Sequence, residues 1–229
     1  MLSEFGGVVV VSMNHRLNIL GTLDLSAYGP QYANSRYTGT ADLVAALQWV
    51  QDNIQAFGGD PGNVMIFGQS GGGGKVVRMM HMPVAKGLFH KVSAQSGSAS
   101  YRGTDPATSI KQQQAIAAHT LKHLNLTGDQ IDKLKAVPYH DLILAGTAAL
   151  QSAAQELGVA RLGWNPIADD KYVMRELCDW AADIPLIAGT VFSEMQGTLQ
   201  RGDGRKNEWT QKEIDDHLTA AFGDNADAV

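Results

Sequence analysis

The chain has 229 residues, 44% of them hydrophobic and 18% charged, which is enough apolar material for one sizeable core. Eighteen basic residues against 23 acidic ones leave a net charge of −5; with no dense Lys/Arg stripe, neither nucleic acid nor an anionic lipid surface is expected as the main partner. Cys178 is the only cysteine, so no disulfide can close within the chain, and cytoplasmic and secreted locations both stay open.

No stretch approaches the ~20 apolar residues of a membrane span. The start, Met1-Leu2-Ser3-Glu4, lacks the positive region of a signal peptide. The first predicted element is Gly7 to Asn14, where Val8, Val9, Val10 and Val11 follow one another. Four β-branched residues without alternation predict a strand buried on both faces, as in a parallel sheet covered by helices. A turn-rich stretch around Tyr28-Gly29-Pro30 comes next. Leu43, Leu47, Val50, Ile54 and Phe57 then lay one apolar stripe along a helix. Thr40 suits its N-cap, and Asp42 its first turn, where the positive end of the helix dipole favours a carboxylate.

Gly58 to Gly62 stops that helix, and Val64 to Phe67 reads as a second buried strand. Gly68 to Gly74 follows, then a helix through Val76, Val77, Met79, Met80 and Met82, then a third strand over Lys91 to Gln95. Strand, helix, strand, helix, strand predicts a parallel α/β sheet. Residues from Asp105 to about Leu157 are helical in pattern, either an insertion capping a ligand site or an ordinary covering layer. Within them Asn125-Leu126-Thr127 matches a glycosylation sequon, and Thr127 equally suits the N-cap of the following helix. Pro185 to Val191 reads as another buried strand, and Glu208 to Phe222 as a closing helix with Ile214, Leu218, Ala221 and Phe222 on one face.

Gly68-Gln69-Ser70-Gly71-Gly72 fits the G-x-S-x-G turn that holds a nucleophilic serine between a strand and a helix. Such a turn projects the hydroxyl from a backbone held at an unfavourable φ. Gly68 and Gly72 are expected to remove β-carbons where strand and helix converge. The Gly71 N–H would lie at the helix N-terminus, free to donate to the oxyanion of a tetrahedral intermediate. Ser70 to Lys75 also suggests a phosphate-binding loop, but Gln69 stands where its first Gly is needed and Val76 where Ser/Thr would bind magnesium.

Three runs together carry a family resemblance: Val8-Val9-Val10-Val11-Ser12-Met13-Asn14-His15-Arg16-Leu17; Ala46 to Ile54 followed by Phe57-Gly58-Gly59-Asp60-Pro61; and Gly68 to Gly72, continued by Ala94-Gln95-Ser96-Gly97-Ser98. They resemble the type B carboxylesterases, the cholinesterase-like family. The resemblance is dense from Gly7 to Ser98 and returns at Pro185 to Glu194. It implies part of an α/β-hydrolase fold, a mostly parallel sheet with helices on both faces and a helical insertion at about 105–157. It also implies a serine hydrolase cleaving small-molecule carboxylic esters through an acyl-serine intermediate, without cofactor. The family's triad runs Ser, Glu, His; Ser70 matches the nucleophile, and Glu194, in Gly189-Thr190-Val191-Phe192-Ser193-Glu194, matches the acid. Ser96 matches a serine close to the triad in relatives, as a supporting hydrogen-bond partner or as a turn residue.

Some positions depart from that pattern. Gln69 replaces a frequent Glu, which removes a negative charge and argues against a cationic ester, and Met195 replaces a usual Gly. The family's histidine and its Gly-rich oxyanion loop match nothing here, so the chain reads as a fragment of a longer esterase. Of seven histidines only His217 follows Glu194, and its place beside Ile214 and Leu218 suits the rim of a helix rather than a base. No Cys/His/Asp/Glu cluster has metal-ligand spacing, so no metal is expected. A noncatalytic adhesion protein of the same fold is the rival reading, but such proteins usually lose the serine.

Overall fold

The strand that ends at Gln69 and the one that ends at Gln95 lie side by side and stop at the same level, and this alignment shapes the rest of the molecule. In the computed structural model, which describes residues 2–97, 99, 101, 105–191 and 208–223, β1 (Met65–Gln69), β2 (Lys91–Gln95) and β3 (Leu186–Gly189) form a parallel sheet in the order β1-β2-β3. Gln69 pairs with Gln95, and Gln95 with Gly189, so all three strands end together. Three short or long helices precede the sheet: α1 (Leu2–Gly6), α2 (Asn18–Thr22) and α3 (Thr38–Asn53). α4 (Gly71–Met79) carries the chain from β1 back towards β2. α5 (Pro106–His123), a 3₁₀ segment (Gly128–Ala136) and α6 (Tyr139–Leu157) come between β2 and β3, and α7 (Gln211–Phe222) is the last helix described. The chain divides into two units, Met1–Gly189, which holds the sheet and α1 to α6, and Thr190–Val229, which holds α7.

β2 forms where the pattern of the chain predicts it; β1 runs on to Gln69 and is half-exposed rather than buried, and α4 stops at Met79, short of Met80 and Met82. Val92 and Ala94 of β2 are buried in one cluster with Leu47 of α3, Val76 and Met79 of α4, Met82 and Phe89. Burial of side chains such as Met82 and Phe89 contributes about 1.5–3 kcal/mol each. On the other side of the pleat Phe67, Ser93 and Ile187 stand in register. There Phe67 is 49% and Ile187 71% exposed, so cover on both faces does not extend to these positions.

The predicted first strand does not form. Residues 8–17 adopt neither helix nor strand, and Val8 to Val11 are each at least 40% exposed. β-branching expresses a fit to a pleated surface, and a strand needs a neighbour to complete its hydrogen bonds; no described strand lies beside this run. β3 is likewise exposed along all four residues, not buried as the run Leu186-Ile187-Ala188 suggests, because little packs on either of its faces; it pairs with β2.

α3 starts at Thr38, two residues before the predicted cap, and Thr40 is buried within its first turns. Asp42 therefore lies beyond the first turn in which the helix dipole would favour it. Its carboxylate accepts from the Arg16 N–H and Nε, each at 2.9 Å, and from Nη2 at 2.5 Å. The stripe along α3 buries Leu47, Val50 and Ile54 but not Phe57, whose ring meets Trp49 at 5.7 Å. Gly58 then adopts φ +82° and its N–H caps the preceding turn, a conformation that favours glycine.

Asp105 caps α5, accepting from the N–H of Thr108 at 2.9 Å, with Pro106 opening the helix. α5 and α6 pack as a pair around Ile116, Ala149 and Ala153, all fully buried; alanines let the two backbones approach. Thr127 does precede the 3₁₀ segment, its N–H donating to Gln130 Oε1 at 3.4 Å. α7 begins at Gln211 rather than Glu208 because Thr210 and Glu213 form a reciprocal cap, Thr210 N–H to Glu213 Oε2 at 2.8 Å and Glu213 N–H to Thr210 Oγ1 at 3.3 Å.

Candidate active site

Ser70 stands between the last residue of β1 and the first of α4, at φ +54° and ψ −120°. A non-glycine residue in such a conformation stores roughly 1–3 kcal/mol and persists only where its surroundings impose it. Here they do. The Ser70 N–H donates to Gln95 O at 2.8 Å, adding a rung to the β1–β2 ladder, and the Ser70 carbonyl accepts from Gly74 N–H at 3.0 Å, closing the first turn of α4. The sheet and the helix thus hold the two peptides that flank the Ser70 Cα, and Ser70 is left exposed.

The flanking glycines divide by role. A β-carbon on Gly68 would overlap the backbone of Gly72, lying 2.9 Å from its Cα and nearer still to its carbonyl. A β-carbon on Gly72 or Gly71 would meet nothing within 4 Å. Within the motif the close approach of strand and helix therefore demands glycine at Gly68, and the expectation of a second clash relieved at Gly72 is not met. Gly71 opens α4 and is exposed; as the first residue of a helix its N–H has no partner four residues back. Serine hydroxyl and unpaired N–H on successive residues form the minimal arrangement for attack on a carbonyl and for holding the resulting oxyanion.

Ser96 follows β2 as Ser70 follows β1, half-buried and at φ +48°. Glu194 and Met195 lie outside the described residues. His217, on α7 of the second unit, stacks on Trp209 with ring centroids 4.2 Å apart, and its Nδ1 lies 2.8 Å from Glu213 O. Five of the first unit's six histidines have partners of their own: His15 Nδ1 with Arg16 O at 3.0 Å, His81 Nδ1 with Met174 O at 3.0 Å, His119 Nε2 with Glu156 at 2.8 Å, His123 Nε2 with Ser152 Oγ at 3.1 Å, and His90 Nδ1 accepting from Val64 N–H at 3.2 Å. Among the described residues no three His, Cys, Asp or Glu side chains gather to hold a metal ion. No described helix is long and apolar enough to cross a membrane.

Two cations lie on α4, Lys75 and Arg78. Arg78 Nε donates to the hydroxyl of buried Tyr101 at 2.6 Å, tying α4 to the chain beyond β2. Lys75, one turn past Ser70, has its ammonium held below the usual lysine value by burial and by the charge of Arg78. No short motif marks Arg78, and only the approach of α4 to the segment after β2 brings it to Tyr101; Lys75 lies in the glycine-rich run and one turn from Arg78 on the same helix.

A sheet of parallel strands, with a strained serine where a strand turns into a helix, defines the α/β-hydrolase class. The solved structures that resemble this chain are of that class. An esterase from anaerobic Clostridium hathewayi, described as able to hydrolyse aliphatic aromatic polyesters, matches with a TM-score of 0.72 and 41% identity over 98% of this chain and 44% of its own. A carboxylesterase of Geobacillus stearothermophilus matches with a TM-score of 0.70 and 29% identity, over 97% of this chain and 45% of its own. The model of the carboxylesterase family matches residues 1–226, and the chain belongs to that family. Among named relatives, the para-nitrobenzyl esterase of Bacillus subtilis is 38% identical over 199 residues, 84% of this chain and 38% of the relative. The phenmedipham hydrolase of Pseudarthrobacter oxydans is 29% identical over 95% of this chain and 43% of the relative. The chain thus spans less than half the length of these relatives.

Proposed function

We propose that this chain carries the nucleophile of a serine carboxylic ester hydrolase, and that the nucleophile is Ser70. The observation behind the proposal is the Ser70 peptide itself, a non-glycine residue at φ +54° pinned by Gln95 and Gly74 where β1 turns into α4. Membership of the carboxylesterase family and relatives named as esterases support the reaction class. In the proposed reaction Ser70 Oγ forms a bond to the ester carbonyl carbon as its proton passes to an imidazole. The carbonyl oxygen becomes an oxyanion that accepts from the Gly71 N–H. Its collapse breaks the bond to the alcohol, which leaves with the proton from the imidazolium. Water then attacks the acyl-serine by the same route and releases the acid.

Glu194 is proposed as the carboxylate that orients the imidazole and offsets its charge, and Ser96 as a neighbour supporting the nucleophile's turn. The imidazole itself is proposed to come from outside these 229 residues; five of the first unit's six histidines already have hydrogen-bonding partners. The substrate is a small-molecule ester. Full-length protein containing this chain is assayed on a short-chain aryl ester and labelled with a fluorophosphonate. Ser70→Ala should lower turnover by about 10⁶-fold and remove the label from the peptide bearing residue 70. More than a few per cent of residual activity would overturn the assignment.

A further inference from the structure

Gln69-Ser70-Gly71 has a twin in Gln95-Ser96-Gly97. The pairing of Gln69 with Gln95 sets the two tripeptides side by side at the ends of adjacent strands. Both serines have a positive φ, +54° and +48°. Each N–H adds a rung to the next strand over, Ser70 to Gln95 O at 2.8 Å and Ser96 to Gly189 O at 2.7 Å. The paths then differ. Gly71 enters a helix, whereas Gly97 lies against the first turn of that helix.

The fit at Gly97 leaves no room for a side chain. A β-carbon there would overlap the carbonyl oxygen of Ser70, and would stand 2.9 Å from Gly74 N and 3.0 Å from Gly73 Cα. Ser70 O and Gly74 N are the two ends of the hydrogen bond that closes the first turn of α4. All three obstacles are backbone atoms, which cannot swing aside as a side chain can. Gly73 meets the same contact from the helix: its β-carbon would lie 3.0 Å from Gly97 Cα, 3.1 Å from Gln95 O and 3.2 Å from Gly68 O. The φ of Gly97 is outside the left-handed region, so it is space that demands glycine here, not backbone conformation.

We infer that Gly97 is a positioning residue for the reaction at Ser70. The Ser96–Gly97 turn, hung from β3 by the Ser96 N–H, presses on the Ser70 carbonyl and on Gly73–Gly74. It thereby sets the direction of Ser70 Oγ and of the Gly71 N–H relative to the sheet. This rests on Ser70 being the nucleophile, and it assigns to the second Gln-Ser-Gly a task that acts through backbone contact.

The test uses full-length protein, with kcat normalised to active sites titrated to completion by a fluorophosphonate. Gly97→Ala forces a retreat of the Ser70 peptide by ~1 Å, and displacements of that size can cost about 10²-fold in rate. The expected result is kcat lower by about 10²-fold, KM changed by less than about threefold, and a parallel fall in the phosphonylation rate constant. A merely structural role would reduce the folded fraction and leave kcat per titrated site unmoved. Gly73→Ala, with milder contacts, should lower kcat by roughly 3- to 30-fold, and it decides the matter on the same criterion if Gly97→Ala does not fold. Normalised kcat within twofold of wild type in the deciding variant overturns the proposal. Turnover retained in Ser70→Ala would instead overturn the nucleophile assignment on which it rests.

Discussion

Removing the charge of Arg36 offers a demanding test of how the chain before the sheet is held. Asp24 is fully buried and Arg36 is 8% exposed, with Nη2 3.2 Å from Asp24 Oδ2. Nη2 also donates to Ser26 Oγ at 2.7 Å, Ser26 N–H donates to Asp24 Oδ1 at 3.0 Å, and Gln114 Nε2 of α5 reaches Ser26 Oγ at 3.2 Å. Arg36→Met keeps most of the volume and strands the Asp24 carboxylate in the interior. Breaking a buried pair in this way costs about 3–5 kcal/mol. The pair is incompletely hydrogen-bonded, since Asp24 Oδ2 and Arg36 Nε and Nη1 have no hydrogen-bond partner, so the expected loss lies near ~3 kcal/mol. Adding Asp24→Asn removes the stranded charge while the amide oxygen can still accept from Ser26 N–H. The double variant should then lie within about 1–2 kcal/mol of wild type, the residue of the lost Arg36–Ser26 bond. Urea unfolding of wild type, both single variants and the double, followed by tryptophan fluorescence in low and in high salt, gives the cycle. High salt should change the coupling little, because the pair is buried. Arg36→Met within 1 kcal/mol of wild type, or a double variant no more stable than Arg36→Met, would refute the reasoning.

Two further outcomes are expected. Glu194→Gln in full-length protein should lower kcat by about 10⁴-fold, less than loss of Ser70, because the imidazolium loses its counter-charge and its tautomer control; wild-type rates would mean that another carboxylate serves. Asp42 is held below its ordinary value of 3.8 chiefly by its hydrogen bond to the Arg16 side chain. Because the folded value is the lower one, the pair stabilises the fold above the unfolded value, and the gain is lost as pH falls through the folded value. Asp42→Asn should therefore cost about 0.5–1 kcal/mol near neutral pH, given how exposed Arg16 is, and the gap from wild type should close below ~pH 4. A gap that widens on acidification, in unfolding curves taken across that range, would contradict the assignment of the pair.

Local chemistry was enough to read much of this chain. β1 opens on a short apolar run, α4 follows a glycine-rich turn, and Ser70 sits in a motif whose glycine at 68 is required by the approach of Gly72. Each of those readings depends on residues within a few positions of one another, where spacing and side-chain type carry the information. What failed were statements about neighbours far along the chain. Val8 to Val11 have strand-forming side chains, yet a strand is made by a partner's hydrogen bonds, and none of the described strands supplies them. Leu186 to Gly189 read as buried, but burial is a property of what packs on the faces of a strand, and all four residues of this one are exposed. Thr40 suits an N-cap by type, but α3 already starts at Thr38, and the Asp42 carboxylate expected to answer the helix dipole accepts from Arg16, 26 residues earlier. The second Gln-Ser-Gly shows the division most clearly. Its residues were plain in the sequence, but its contact with Ser70 exists only because the parallel register brings Gln95 beside Gln69, and a contact of that kind depends on the distance between backbones, which no side-chain pattern records.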